Sequence, residues 1–254
     1  MSYLTQKFLD GMTNQVEEEM LEGLIKEFKT MFPKRCRILG DENLNLFLTH
    51  QQERAKYYNY LYYDDLKRYA FIAFYLGTYF DEDELYPWVQ EIVQENESFG
   101  KKVDKLNHEF YIMFDEVIGE DSCCLQKAFL KLRKVNIENI KTYKKYGNII
   151  NALNYIYPQR MKMIGKKNFE ENLTAQKDQW DRYDIHVALG ASVYGALVFF
   201  LGSKVDKDPL YPWVSKYLNQ TLVKEEKVEI LLKKSMNRVH KAVISIKKSL
   251  EKES

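Results

Sequence analysis

The stretch DEDELYPWV, Asp81–Val89, returns later in the chain as DKDPLYPWV, Asp206–Val214. The two copies lie 125 positions apart (206 − 81 = 125). Sliding the chain along itself by that distance aligns residues 32–93 with residues 157–218 without a gap, and nineteen of the 62 aligned pairs are identical. Ordinary composition gives only about one chance identity in 15–20 pairs. The chain is therefore a tandem duplication, and this organisation has to be settled before any local pattern is interpreted.

The repeat length sets the expected domain organisation. A unit of about 125 residues is long enough to bury a core of its own. We predict one helical unit at residues 1–121 and a second, homologous unit at residues 122–254. The repeat does not determine how the two units pack together or whether the chain forms oligomers, so both questions stay open.

Composition and periodicity favour helices. The chain has 45% hydrophobic and 30% charged residues, with only 5 prolines and 11 glycines to interrupt helices. Apolar residues recur at steps of three and four, and no segment alternates for long as a strand would. We predict an all-α fold of two tandem bundles with about five helices each. The expected helices are 4–31, 42–58, 63–76, 87–96 and 99–118, with a short turn at 35–39, and then 123–156, 167–183, 185–201, 212–222 and 224–251.

One apolar stretch, Val187–Gly202, has to be distinguished from a membrane span. It is shorter than the ~20 residues that a bilayer requires. Its counterpart in the first half, residues 62–77, contains Asp64, Asp65, Lys67 and Arg68. A position that accepts these charges in one copy indicates a helix of a globular protein, so we predict no membrane association.

Charge and cysteine content narrow the class of partner. The formal net charge is +1, which gives no bulk attraction to nucleic acid. Cys36, Cys123 and Cys124 form neither a disulfide framework nor a metal-binding spacing. The N-terminal residues lack the pattern of a signal peptide. Together these features favour a cytoplasmic protein.

No catalytic constellation is present in the sequence. P-loop, nucleophile-elbow and dinucleotide-binding patterns are all missing. A cation site at Asp81 and Asp83 with Glu84 is disfavoured, because the second copy has Lys207 between its aspartates and Pro209 in place of Glu84. We therefore predict a binding protein that is not an enzyme, with no cofactor and no metal.

The repeated motif is interpreted as a corner between two helices. A glycine ends one helix, two aspartates then supply oxygens to the free N–H groups of the next helix, and a proline begins that helix. The tryptophan after the proline is predicted to plug the bundle. The residues of this structural motif are Gly77, Asp81, Asp83, Pro87 and Trp88, with Gly202, Asp206, Asp208, Pro212 and Trp213 in the second copy.

A tyrosine-rich segment, Lys56–Tyr69, is the best candidate for a partner surface. Six tyrosines lie within its fourteen residues, on both faces of the expected helix, so they cannot all belong to the core. Tyrosine is enriched at protein interfaces. The candidate binding residues are Tyr57, Tyr60, Tyr62, Tyr63, Asp64 and Asp65. The alternative is that these rings pack one half of the chain on the other.

Several of these features together resemble a group of small helical bacterial proteins from type VI secretion spike-and-effector gene clusters. The resemblance rests on FPKRCRILG at 32–40, Arg54-Ala55, Tyr58, Asp64-Asp65-Leu66 and GTYFDEDELYPWV at 77–89. It covers about 60 residues of the first half and, more loosely, the matching part of the second. Glu84 departs from the proline of the group, and the second half has Gln179-Trp180 in place of Arg54-Ala55.

The resemblance implies a binding role around a secreted toxin and brings no catalytic residues with it. It favours an immunity protein that binds and neutralises a cognate antibacterial toxin. The alternative is an adaptor or chaperone that loads an effector onto the secretion spike. Both roles require a protein partner.

Overall fold

A computed structural model describes the backbone of residues 3–60, 62–135, 146–185 and 188–253, and the side chains of residues 15–60, 62–135, 148–185, 189–238 and 241. Within these ranges all regular secondary structure is helical, which confirms the predicted all-α class. No described helix is both long and apolar enough to cross a membrane.

The first half has six helices in its described residues. They are α1 Tyr3–Met31, α2 Pro33–Leu39, α3 Asp41–Tyr57, α4 Tyr63–Leu76, α5 Pro87–Gln94 and α6 Phe99–Ile118. A short 3-10 turn, Phe80–Glu82, separates α4 from α5, and a second, Glu120–Ser122, follows α6. These bounds agree with the predicted helices to within a few residues at each end.

The second half is divided more finely than predicted. Its described helices are α7 Cys123–Arg133, α8 Tyr146–Ile156, α9 Pro158–Ile164, α10 Lys166–Ala175, α11 Lys177–Arg182, α12 Ala188–Leu201, α13 Pro212–Leu218 and α14 Lys224–Glu253. The middle of the predicted helix 123–156 lies outside the described residues. The predicted helix 167–183 is interrupted at Gln176, whose ψ of 2° leaves the helical range. The predicted helix 185–201 corresponds to α12, which begins at Ala188. Residues 186 and 187 lie outside the described ranges.

The repeat produces the same local geometry twice. Proline occupies the first turn of α2 and of α9, and each of these short helices ends at a glycine with φ of +83°. Glycine adopts such a positive φ without the steric cost that a Cβ would impose. The equivalent helices α2 and α9 therefore begin and end in the same way.

The buried side chains of both halves belong to one continuous hydrophobic cluster. In the first half, the Phe28 ring meets Phe74 edge-on at 5.3 Å, and Phe47 lies 5.5 Å from Phe74. In the second half, Phe169 meets Phe199 at 5.4 Å. The division into separate units at residue 121 stays a prediction.

Candidate protein-binding surface

The two copies of the repeated motif contact each other, and each supplies its second aspartate to the other. Asp208 accepts hydrogen bonds from the backbone N–H of Thr78 at 2.9 Å and from its hydroxyl at 2.5 Å. In return, Asp83 accepts a hydrogen bond from the backbone N–H of Ser203 at 2.8 Å. Thr78 and Ser203 each follow the glycine that ends a helix. Each copy of the motif thus supplies an acceptor to the other.

Each exchanged aspartate also stabilises its own turn. Asp83 accepts the N–H of Leu85 at 2.9 Å, and Asp208 accepts the N–H of Leu210 at 2.8 Å. The helices α5 and α13 that follow have no side-chain cap. The predicted capping of these helices by the aspartates is therefore wrong. The carboxylates instead serve a local turn and the opposite half.

The glycines of the motif are required by the approach of the opposite half. Gly77 has φ of +119° and Gly202 has φ of +108°. A Cβ at Gly77 would lie 3.3 Å from Oδ2 of Asp208, and a Cβ at Gly202 would lie 3.0 Å from Oδ2 of Asp83. Both the backbone conformation and the nearby carboxylate therefore disfavour a side chain at these two positions.

Burial has an electrostatic consequence for this pair of aspartates. Both Asp83 and Asp208 are almost fully buried. Burial disfavours the charged form and raises the pKa of each carboxyl, although the hydrogen bonds from the backbone N–H groups act in the opposite direction. We call the contact between the two motif copies the seam; it consists of Gly77, Thr78 and Asp83 with Gly202, Ser203 and Asp208. The specificity of the seam therefore depends on its hydrogen bonds.

The tryptophans of the motif do not plug the core as predicted. Trp88 and Trp213 are half-buried, whereas the neighbouring Tyr86 is completely buried. The hydroxyl of Tyr86 accepts a hydrogen bond from Arg160 of the second half at 3.0 Å. In the first copy the tyrosine of LYPWV thus enters the interior and the tryptophan packs at its edge, whereas Tyr211 of the second copy is only half-buried.

The first aspartate of the first copy anchors the end of α3. Oδ2 of Asp81 accepts hydrogen bonds from Nε of Arg54 at 2.8 Å and from the hydroxyl of Tyr58 at 3.0 Å. Arg54 also pairs with Glu82 at 3.0 Å. The pKa of Tyr58 lies well above its ordinary value. The main cause is burial of the hydroxyl, and the second is the negative charge of Asp81. Arg54 entered the sequence analysis only through the family resemblance, because its partner is 27 residues away.

The second copy keeps only part of this anchor. Asp206 accepts a hydrogen bond from the hydroxyl of Tyr183 at 2.8 Å. Gln179 occupies the position that corresponds to Arg54. The pKa of Tyr183 is raised to about 12, mainly by burial and secondly by the hydrogen bond to Asp206. The arginine–aspartate pair therefore distinguishes the tyrosine-rich half.

The loop after α3 sets the direction of the tyrosine-rich segment. Asn59 adopts a left-handed conformation with φ of +57°, and the N–H of Tyr60 returns to the carbonyl of Ala55 at 3.0 Å. Asparagine tolerates this conformation better than most residues. Tyr57 is the last residue of α3 before this turn, and Tyr62 directly precedes α4.

Three of the six candidate residues are exposed. The exposed fraction of Tyr57 is 72% and that of Tyr62 is 68%. The carboxylate of Asp64 is also exposed and pairs with Lys67 at 3.0 Å. The Arg54 guanidinium lies 5.2 Å from the centre of the Tyr57 ring. Tyr57 is therefore both accessible and positioned by the Arg54–Asp81 pair.

The other three candidates face inward. The hydroxyl of Tyr60 lies 3.5 Å from the sulfur of Met20, and the hydroxyl of Tyr63 donates to Glu27 at 3.2 Å. Asp65 is buried and pairs with Arg68 at 2.6 Å. All of these contacts lie within the first half, so they do not pack one half on the other. They support the loop that carries Tyr57 and Tyr62.

The charges around the exposed tyrosines are largely paired. Lys56 contacts Glu17 at 2.6 Å, and Lys67 contacts Glu27 at 3.5 Å. Such exposed pairs add little stability. Their effect here is to surround the aromatic rings with groups of both signs. No cluster of three metal-binding side chains occurs among the residues described.

Comparison of the chain with protein-family models, with curated proteins and with solved structures finds no match.

Proposed function

We propose that this chain is a cytoplasmic immunity protein of two homologous helical units that binds and neutralises a cognate secreted antibacterial toxin. The observation that carries the proposal is the pair of exposed tyrosines that flank the loop between α3 and α4, Tyr57 and Tyr62, with Tyr57 positioned by the Arg54–Asp81 ion pair. The family resemblance supplies the class of partner. The proposed action is occlusion of the toxin by a complementary surface, with no catalysis by this chain.

Preorganisation is the physical reason to choose this surface. A tyrosine buries a large ring at an interface while only two side-chain torsions are fixed. Tyr57 is already restrained by Arg54 at 5.2 Å and by the Tyr58 ring at 5.1 Å. Less conformational entropy is then lost on association, which raises the affinity. The exposed carboxylate of Asp64 adds a polar contact at the edge.

The experiment is a binding titration of the purified full-length chain with an inactivated product of the neighbouring toxin-like gene. We expect a tight stoichiometric complex with the wild type. The double variant Tyr57→Ser/Tyr62→Ser removes both exposed rings, and we expect it to weaken binding about 10- to 1,000-fold. Its melting temperature should change little, because neither ring is in the core.

Tyr111→Ser is the matched control, because Tyr111 is also an exposed tyrosine of the first half but lies on α6. It should leave the affinity unchanged. Equal weakening by the control and the double variant would contradict the assignment of this surface. An activity assay with the active toxin separates the two roles: an immunity protein abolishes toxin activity, whereas an adaptor leaves it intact and also binds the spike.

A further inference from the structure

A large cavity opens in the second half. Its volume is about 1030 Å³, and it lies mainly between α7, α8, α12 and α14. Two residues of the first half, Tyr75 and Ile118, also line it. Volumes of this order are typical of sites for small organic ligands. The wall is mainly aliphatic and aromatic, with Leu132, Leu153, Val193, Leu197 and Phe200 as representative residues.

The charged residues of the cavity are all basic. Lys131, Lys134, Arg160 and Arg238 line it, and no aspartate or glutamate occurs among its described lining residues. The whole chain has 38 basic and 37 acidic residues. A cavity whose charged residues are all basic, in a protein with nearly equal numbers of basic and acidic residues, is complementary to an anion.

Arg160 also lines the cavity, and among the described residues its recorded hydrogen-bond acceptors include no carboxylate. It donates from Nε to the carbonyl of Phe199 at 2.5 Å and from Nη2 to the hydroxyl of Tyr86 at 3.0 Å, which are both neutral acceptors. The nearby carboxylate of Asp83 already receives the N–H groups of Leu85 and Ser203. A half-buried guanidinium with neutral acceptors retains an attraction for a negative group.

Arg238 is placed at the exposed end of the same wall. Its guanidinium lies 4.5 Å from the centre of the Trp213 ring, which also lines the cavity. Partial burial lowers the pKa of Arg238, so its charged form lacks full solvation. A ligand with a negative head and an apolar tail would satisfy both the arginines and the aliphatic wall.

We propose that this cavity binds a single-chain amphipathic anion, whose acidic head pairs with basic residues of the wall and whose alkyl chain lies along the apolar residues of α8 and α12. The site is independent of the proposed toxin-binding surface, which lies on the first half. It makes the chain a binder of a small lipid-like molecule as well as of a protein.

The first half supplies a blocking variant. Ala196 lines the cavity, and the equivalent residue in the first half, 125 positions earlier, is Phe71. Ala196→Phe places a ring that the other copy already accommodates at this position. It should fill part of the cavity and leave the helix intact.

The test is isothermal titration calorimetry of the full-length protein with dodecanoate, dodecyl phosphate and dodecan-1-ol. These probes share the alkyl chain and differ in the head group. We expect at least one of the two anions to bind at least tenfold more tightly than the alcohol. The preferred anion identifies the head group as carboxylate or phosphate.

Variants separate recognition of the head from recognition of the tail. Arg238→Met should weaken anion binding about tenfold and leave binding of the alcohol unchanged, whereas Arg37→Met, at an exposed arginine on α2, should change neither. Ala196→Phe should weaken binding of all three probes while circular dichroism shows an intact helical fold. Equal affinity for the anions and the alcohol, no binding of either anion, or undiminished binding by the Ala196→Phe protein would overturn the proposal.

Discussion

The same position in the two halves is filled with rings in one copy and opens into a cavity in the other. In the first half, Phe71 packs against Phe32 at 5.8 Å, Tyr75 at 5.1 Å and Phe110 at 6.1 Å. In the second half the equivalent residue is Ala196, which lines the cavity. The duplication has thus kept the helices at this position while the interior beside them has diverged.

The seam between the halves shows the opposite behaviour. Both copies keep the glycine that ends the helix, the aspartate that crosses to the other half and the completely conserved LYPWV segment. A change in one copy of the seam would leave a buried group of the other copy unpaired. Reciprocity therefore constrains the seam, whereas the interior of each half is free to change.

The largest expected effect comes from breaking the seam. Asp83→Ala and Asp208→Ala each leave buried backbone N–H groups without acceptors, one in their own turn and one in the opposite half. Each should lower the free energy of unfolding by about 2–4 kcal/mol. Urea unfolding curves of the two variants measure this.

If the seam is reciprocal, the two costs should agree to within about 1 kcal/mol, since the two carboxylates accept corresponding hydrogen bonds. Glu84→Ala, at an exposed residue beside Asp83, serves as the control and should cost far less. A large cost at one aspartate and none at the other would show that only one half depends on the exchange.

Exchanging the interior residues gives the next largest effect. Phe71→Ala removes a half-buried ring from the aromatic group and should cost about 2–3 kcal/mol. Ala196→Phe should instead raise the free energy of unfolding by about 0.5–2 kcal/mol, because it fills empty space. Denaturant melts of both variants measure these opposite signs. Destabilisation by both would mean that the second half has no room for the ring.

The smallest expected effect concerns the tyrosine that binds the first aspartate of each motif. Tyr183→Phe removes a hydrogen bond to buried Asp206 and should cost about 1–2 kcal/mol. Tyr58→Phe should cost less, because Arg54 still pairs with Asp81 at 2.7 Å. A larger cost for Tyr58→Phe would contradict the difference between the two anchors.

The same tyrosine gives a pH dependence with a defined sign. The folded protein raises the pKa of Tyr183 from 10.0 to about 12, so the folded state holds this proton more tightly than the unfolded state. The resulting stabilisation is complete below pH 10 and is lost as the pH rises through about 12. Urea melts between pH 9 and pH 12 should show a shallower decline in Tyr183→Phe than in the wild type.

Much of the fold could be predicted from the sequence. The scarcity of glycine and proline, together with the helical periodicity, predicted the all-α class. Gly77 and Gly202 marked the ends of α4 and α12 because a local glycine signal acts within a few residues. The mixed distribution of the tyrosines also follows from periodicity, since Tyr69 is completely buried while Tyr57 is exposed.

The remaining features depend on contacts that local patterns do not encode. The partners Asp83 and Ser203 are 120 residues apart, so neither predicts the other. The burial of Trp88 was overestimated because α5 is only eight residues long and lies at the edge of the interior. At the candidate surface, the sequence located the tyrosine-rich segment, but the inward direction of Tyr60 and Tyr63 depends on their contacts with α1.

The exchanged aspartates also impose an order on biosynthesis. Asp208 is made 130 residues after Thr78, the residue whose N–H it accepts. At about 5–20 residues per second, a ribosome needs roughly 6–26 s to bridge that interval. During this time the N–H of Thr78 lacks its acceptor Asp208, and the carboxylate of Asp83 lacks the N–H of Ser203. The native state is therefore reached only after the second copy has emerged, and translation speed sets how long the nascent chain is exposed to a chaperone or a protease.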